Sequence, residues 1–304
     1  MKLARKYDEG YKKLFSNKQN VAWFLTAIVP EEKLRNVLPD DIEIIATESI
    51  NKRWQKRNSD MVYRINYKSS FFCLTVEFQS RRDEKMLHRL YEYMHLNQLK
   101  NVKEGKIPVV IPIVLYNGTK HWDFCDEFSK IIEHAEDFPE YAQKFKVIFV
   151  DIRSIPEDKL LGASNVLAIA LYIDQVSDDP NQIIERLLTL KDRVKLNDEQ
   201  KEELADWLYE VLLKPYGVTE EEAEELFVKS GLGVEEMFSS TAEKVKLGIE
   251  REKRKVAKEV AKEVAKEVKI KIARKMLRKG VEENLVAEVT GLSLKKVKEL
   301  KGEK

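Results

Sequence analysis

Asp60 and Glu77 are the residues whose types and spacing first suggest chemistry. They lie in the stretch SDMVYRINYKSSFFCLTVEFQ, residues 59–79, which reads as two strands around a tight turn at Tyr67-Lys68-Ser69-Ser70. On the first strand Asp60, Val62, Arg64 and Asn66 alternate with Met61, Tyr63, Ile65 and Tyr67. On the second, Cys73, Thr75, Glu77 and Gln79 alternate with Phe72, Leu74, Val76 and Phe78. Successive strand side chains take opposite faces, so each strand has one apolar and one more polar side. Folding the hairpin about the Lys68–Ser69 bond sets Asp60 opposite Glu77 and makes the apolar faces coincide. A slip of one residue would drive Glu77 among Tyr and Met side chains, which burial forbids. Directly opposed residues have Cβ atoms about 4.5–5.5 Å apart, where like charges repel. Two carboxylates so placed, with Gln79 one step along the same face, require a compensating cation. That is the outline of a divalent-metal site.

The rest of the chain must supply a sheet around this hairpin and helices to cover it. Tyr11, Leu14, Phe15, Val21, Phe24, Leu25 and Ile28 recur at helix spacing over residues 8–29, with a break near Ser16-Asn17. A short helix is expected from Pro30 through Leu38, a first strand over Ile42 to Ala46, and a polar, Trp-containing segment from Asn51 to Asn58. After the hairpin, Ser80-Arg81-Arg82-Asp83 caps a helix over Met86 to Val102, closed by Gly105. Ile107 to Tyr116 is a near-continuous apolar run, the mark of a strand buried on both faces. Lys146 to Val150 predicts a further strand. Beyond Pro156 the pattern is helical throughout: Leu160 to Val176 and Gln182 to Lys195 as amphipathic helices, then the acidic Glu199 to Leu213 and Glu220 to Lys229. Gly231-Leu232-Gly233 precedes a long terminal helix, which Gly280 ends before a short helical pair.

This order of elements, with an acid on one strand facing an acid on its neighbour, resembles the core of the PD-(D/E)XK nuclease superfamily. The sequence resembles more closely the Rpn family of recombination-promoting nucleases, or YhgA-like putative transposases. Four motifs carry the likeness, in family order: Tyr7-Asp8 with Lys12-Lys13-Leu14-Phe15; Ser59-Asp60 through Tyr63; Glu77-Phe78-Gln79-Ser80; and Ile111-Pro112-Ile113-Val114-Leu115-Tyr116-Asn117-Gly118. The resemblance implies an α/β fold, a restriction-endonuclease-like core with a central mixed sheet flanked by helices, and an all-helical C-terminal extension. It divides the chain into a nuclease domain at 1–155, an acidic helical region at 156–240 and a basic tail at 241–304. It implies metal-dependent endonucleolytic hydrolysis of DNA, with Asp60, Glu77 and a further acid, Asp8, around Mg²⁺ or Mn²⁺. Hard ions of this kind favour oxygen ligands and activate a water.

Gln79 stands where the superfamily usually has Lys, as it does in the Rpn family. An amide can orient a water but carries no charge, so a cation must come from Arg81, Arg82 or Arg89. Arg89, with Tyr93 on the same helix, is the preferred choice. The alternative for Asp60 and Glu77 is a solvated hairpin rim, and for Asp8 a helix-terminal charge. Asn117-Gly118 serves equally as cleft lining or as a turn. His88, His95, His121 and His134 show no zinc spacing. The different-class alternative is a non-catalytic DNA-binding or assembly protein that keeps the fold.

The formal net charge of +1 conceals an asymmetry. Residues 244–304 hold 20 basic and 10 acidic residues, against 34 and 43 in the remainder. Two cysteines make no disulfide framework. With no apolar leader and no bilayer-length apolar run, the expectation is a soluble, cytoplasmic protein without a membrane partner. In the tail, Val256, Val260, Val264, Val268, Ile272 and Met276 recur every four residues within a Val-Ala-Lys-Glu repeat. A four-residue step advances about 40° round the helix, so the seam winds. Self-association through this helix is favoured over direct DNA contact, with a homo-oligomer as the outcome.

Overall fold

The computed structural model describes residues 9–45, 60–229 and 233–302. Asp8, the segment from Asn51 to Asn58, Gly231 and Leu232 lie outside them. Five strands form one mixed sheet in the order β1 (Ile42–Ile45), β2 (Met61–Tyr67), β3 (Ser70–Gln79), β4 (Val110–Tyr116) and β5 (Ile148–Asp151). The first three are antiparallel, and β4 and β5 join parallel to β3. The hairpin register pairs Met61 with Val76 and Tyr67 with Ser70, the fold about Lys68–Ser69 that alternation demands. Lys68 takes a positive φ of 52°, which lets a two-residue turn match the twist of its strands.

Both faces of the sheet are covered. The first packs Met61, Tyr63, Ile65, Leu74, Val76 and Phe78 against a helix over residues 9–14 (α1) and against α2 (Lys18–Trp23), which continues as a wider turn through Ile28. Asn17 caps α2, so the helix breaks where the sequence broke. The second face lies under α3 (Met86–Lys100), whose Met86, Leu87 and Leu90 pack with Val114. The polar side of β3 is therefore as dry as the apolar one, with Cys73, Thr75 and Glu77 at most 1% exposed.

Three sequence expectations change. Residues 30–38 hold only a 3-10 turn, Glu32–Leu34, since Leu34 and Val37 alone are buried there and cannot anchor a longer helix. The expected helix from Leu160 to Val176 is two pieces, α4 (Glu157–Leu161) and α5 (Val166–Asp174), because Asn165 caps a fresh start with its side chain. Nor is α5 amphipathic: all nine of its residues are buried. It runs through the core that also contains α6 (Pro180–Lys191), α7 (Asp198–Trp207) and Phe238. The expected boundary at 155 thus falls inside one packed body, and the chain divides at Met1–Lys246 and Leu247–Lys304.

The second unit contains the later part of the 45-residue helix α9 (Val234–Arg278), then α10 (Glu283–Thr290) and α11 (Leu294–Gly302). Ala273, Val286, Val297 and Leu300 form its small core. Gly280 and Gly291, at φ 83° and 65°, turn the chain between these helices. Among the described residues no helix is long and apolar enough to cross a membrane, and both cysteines are free.

Candidate functional site

The open end of the β2–β3 hairpin brings Asp60 and Glu77 together by backbone as well as by side chain. The Asp60 amide donates to Glu77 Oε1 at 3.1 Å, and the Phe78 amide donates to Asp60 Oδ2 at 2.9 Å. Asp60 is partly open, with 21% of its side chain exposed, whereas Glu77 is 1% exposed under α3. Glu77 Oε2 accepts from Arg89 Nη2 at 3.1 Å, and Asp60 Oδ1 meets Lys12 Nζ at 2.7 Å. All four carboxylate oxygens therefore face N–H donors.

Arg89 reaches Glu77 because α3 lies across that face of the sheet with Arg89 and Tyr93 one turn apart. Its Nε donates to the Tyr93 hydroxyl at 3.4 Å, and Nη1 pairs with Asp83 at 2.8 Å. Burial pulls the guanidinium pKa down, but the bonds to Tyr93 and Asp83 and the charge of Glu77 outweigh it and raise it. Glu77 shows the opposite imbalance. Burial first, and the Asp60 charge second, push its carboxyl up to about 8, although Arg89, the Asp60 amide and Lys12 pull it down. Each carboxylate has a cation, and the burial of Glu77 still outweighs them.

Gln79 sits half-buried one strand step beyond Glu77 on the same face, and its carbonyl accepts from the Asn117 amide at 3.0 Å. The structure thus gathers Asp60, Glu77, Arg89 and Tyr93, with Gln79 along the strand. Arg81 and Arg82 are exposed, as are His88 and His95. Asp8 lies outside the described residues. Among the described residues, no three His, Cys, Asp or Glu side chains converge as a metal cage.

Lys12 is the residue that sequence reasoning quoted without giving it a task. Tyr11 and Leu14 on α1 and Phe15 just after it form a buried stripe, each at most 1% exposed. A residue adjacent to Tyr11 and three before Phe15 must emerge at the stripe's edge, here over the end of β2. The signal was available: two opposed carboxylates that call for cations, and a lysine bordering a buried helical face.

A family model described as putative transposase, YhgA-like, matches residues 5–205. The chain belongs to that family. A second model, the C-terminal HTH domain of the Rpn/YhgA-like nuclease family, matches residues 266–302, covering the end of α9 with α10 and α11. No curated protein and no solved structure matches the chain. Membership of the Rpn/YhgA-like family points to a nuclease or transposase-like function, and its HTH domain points to DNA as a partner. The match takes in the end of α9 together with α10 and α11, the last spanning nine residues.

Proposed function

We propose that this chain is a metal-dependent DNA endonuclease with a PD-(D/E)XK-type core, and that Asp60 and Glu77 hold Mg²⁺ or Mn²⁺. The observation that carries this reading is the juxtaposition of two carboxylates at the open end of the hairpin, Glu77 buried and Asp60 partly open, with burial and the Asp60 charge pushing the Glu77 carboxyl up. The donor set fits. Mg²⁺ keeps several waters and is commonly bound through one or two carboxylates rather than by an all-protein cage. Such an ion polarises a phosphoryl oxygen and acidifies an attacking water.

The chain's own residues then have distinct tasks. Lys12, half exposed on α1, offers its ammonium to a phosphate arriving over Asp60. Arg89 keeps its charge beside Glu77 while Tyr93 and Asp83 fix its orientation. Gln79 presents an amide that orients water by accepting and donating hydrogen bonds. The basic residues exposed on α11, Lys295, Lys298 and Lys301, supply sequence-independent attraction to DNA.

A non-catalytic DNA-binding reading is favoured by one observation, the four carboxylate oxygens already facing N–H donors. Nicking of supercoiled plasmid separates the two. Magnesium-dependent nicking that falls on the order of 100-fold or more in Asp60→Ala supports the assignment. Equal rates in variant and wild type would remove Asp60 from the chemistry, and absence of nicking by the wild type would favour the binding reading.

We further infer that α9 pairs with the same helix of a second copy. Val256, Val260, Val264, Val268 and Ile272 stand 45–54% exposed, an apolar line in water. Glu and Lys alternate beside it, so a second copy laid alongside meets opposite charges.

A further inference from the structure

Asp174 is a carboxylate for which the chemistry above has no use, and it is 1% exposed at the end of the wholly buried helix α5. Its Oδ2 accepts from the Tyr11 hydroxyl at 2.6 Å and from Asn117 Nδ2 at 2.9 Å. These partners are 163 and 57 positions away in sequence, one on α1 and the other just past the end of β4. Tyr11 is the residue before Lys12, and its ring stacks on Phe78 at 5.7 Å, between Glu77 and Gln79. Asn117 uses its backbone amide to bind the Gln79 carbonyl. The chain runs on from Asn117 so close to the Tyr116 ring that a Cβ on Gly118 would lie 2.1 Å from the Tyr116 hydroxyl oxygen. A side chain at 118 would therefore force the Tyr116 ring or the chain beside it to shift.

We propose that Asp174 is a positioning residue for the site: one buried carboxylate oxygen fixes the rotation of α1, and so the aim of Lys12 at Asp60, and also fixes Asn117 against Gln79. The inference rests on the nuclease reading for its effect on rate but not for its geometry. A roll of α1 about its axis by a few tens of degrees would swing Lys12 off Asp60. Apolar packing of Tyr11 resists such a roll weakly, because apolar contacts are non-directional. A hydrogen bond weakens steeply with misalignment and resists it well. A buried carboxylate is costly to keep unless it is hydrogen-bonded, which makes its donors hard to release.

The test uses the full chain with Tyr11→Phe, Asp174→Asn and Asp174→Ala, each also combined with Lys12→Ala. Tyr11→Phe should lower the nicking rate about 10- to 100-fold with little change in KM for DNA, and should have almost no further effect once Lys12 is alanine. Asp174→Asn keeps an acceptor oxygen and should recover most of the rate lost in Asp174→Ala. Full additivity of Tyr11→Phe with Lys12→Ala would overturn the proposal. A second readout needs no activity: amide hydrogen exchange. Asp174→Ala and Tyr11→Phe should each speed exchange at Phe78 or Asn117 at least several-fold, while strand-centre amides such as Ile113 stay protected. Uniform acceleration across the sheet would show a purely global role and overturn it. If the wild type does not nick DNA, the nuclease reading fails while the exchange experiment still decides this one.

Discussion

Glu77 and the glutamates of the α9 repeat, Glu259, Glu263 and Glu267, all have basic residues within reach, yet their surroundings differ in kind. Glu77 is under a helix, opposed by a second carboxylate, with its carboxyl pushed up to about 8. The α9 glutamates are exposed, interleaved with lysines in helical steps, and water screens each of them. The residue types are the same. What separates a site from a solubilising ladder is whether the field of a neighbouring charge is carried through protein or through solvent. The tail carries the basic excess, while the body holds a carboxylate that burial and a neighbouring carboxylate together push up.

The largest expected effect follows from that carboxylate. In Glu77→Gln, magnesium-dependent nicking should fall on the order of 100-fold or more, as for Asp60→Ala. The metal-free protein gives an independent measure. Unfolded Glu77 titrates near 4.5 and folded Glu77 near 8, so between those values the native state holds a proton that the unfolded chain has released. Stability contributed by this group is complete below pH 4.5 and is lost as pH rises towards 8, by about 1.4 kcal/mol per pH unit inside the window. Calorimetric melting temperatures should therefore drop more steeply between pH 5 and 8 for the wild type than for Glu77→Gln. Parallel pH profiles would mean that Glu77 is not held away from water, and the comparison with α9 would collapse.

Removal of the tail ranks next. Val245 is fully buried and belongs to the first unit, so the cut falls after Lys246. Deleting 247–304 takes away 18 basic and 10 acidic residues and leaves the Asp60–Glu77 pair intact. The truncated protein should still nick plasmid, but bind a DNA duplex more weakly at low salt. Its log affinity against log salt should lose about 0.9 in slope for each phosphate contact the tail had made. Fluorescence anisotropy titrations between 50 and 200 mM salt, conditions set on the usual scale of this effect, measure it. An unchanged slope would move the DNA-holding role from tail to body.

What the sequence revealed, and what it withheld, divides along the same physical line. The hairpin register was legible because only one pairing puts Met61, Tyr63, Leu74 and Val76 on one side, and the structure has that pairing. A continuous apolar run likewise located β4, flanking polar residues and a closing glycine α3, and the four-residue repeat the long terminal helix. Periodicity could not reveal α5, because a helix buried all round has no polar face to mark its period, and its run of apolar residues was merged with α4. Nor could it join Asp174 to Tyr11 or Lys12 to Asp60, contacts made by elements far apart in sequence. The short helix expected over residues 30–38 failed for a related reason: propensity without a buried face does not hold a helix.

The smallest effect is the most informative about the tail. Leu171 in α5 is 0% exposed and Val264 in α9 is 52% exposed. Leu171→Ala should cost about 2–5 kcal/mol, as large-to-small changes in a packed core do. For Val264→Ala, two outcomes are physically distinct. If the seam faces water in solution, alanine's better helix propensity should leave stability unchanged or raise it by up to about 0.7 kcal/mol. If a second copy covers the seam, the lost methyl groups should cost about 1 kcal/mol, and the melting temperature of the wild type should rise with protein concentration. The proposed pairing requires the second outcome. Because the seam advances about 40° at each repeat, two straight helices can share only part of it. The loss should therefore be concentrated at neighbouring valines instead of being equal from Val256 to Ile272. A series of single Val→Ala variants along α9, melted at two protein concentrations, would map that contact. A flat series with no concentration dependence would leave the seam in water and reject the paired helix.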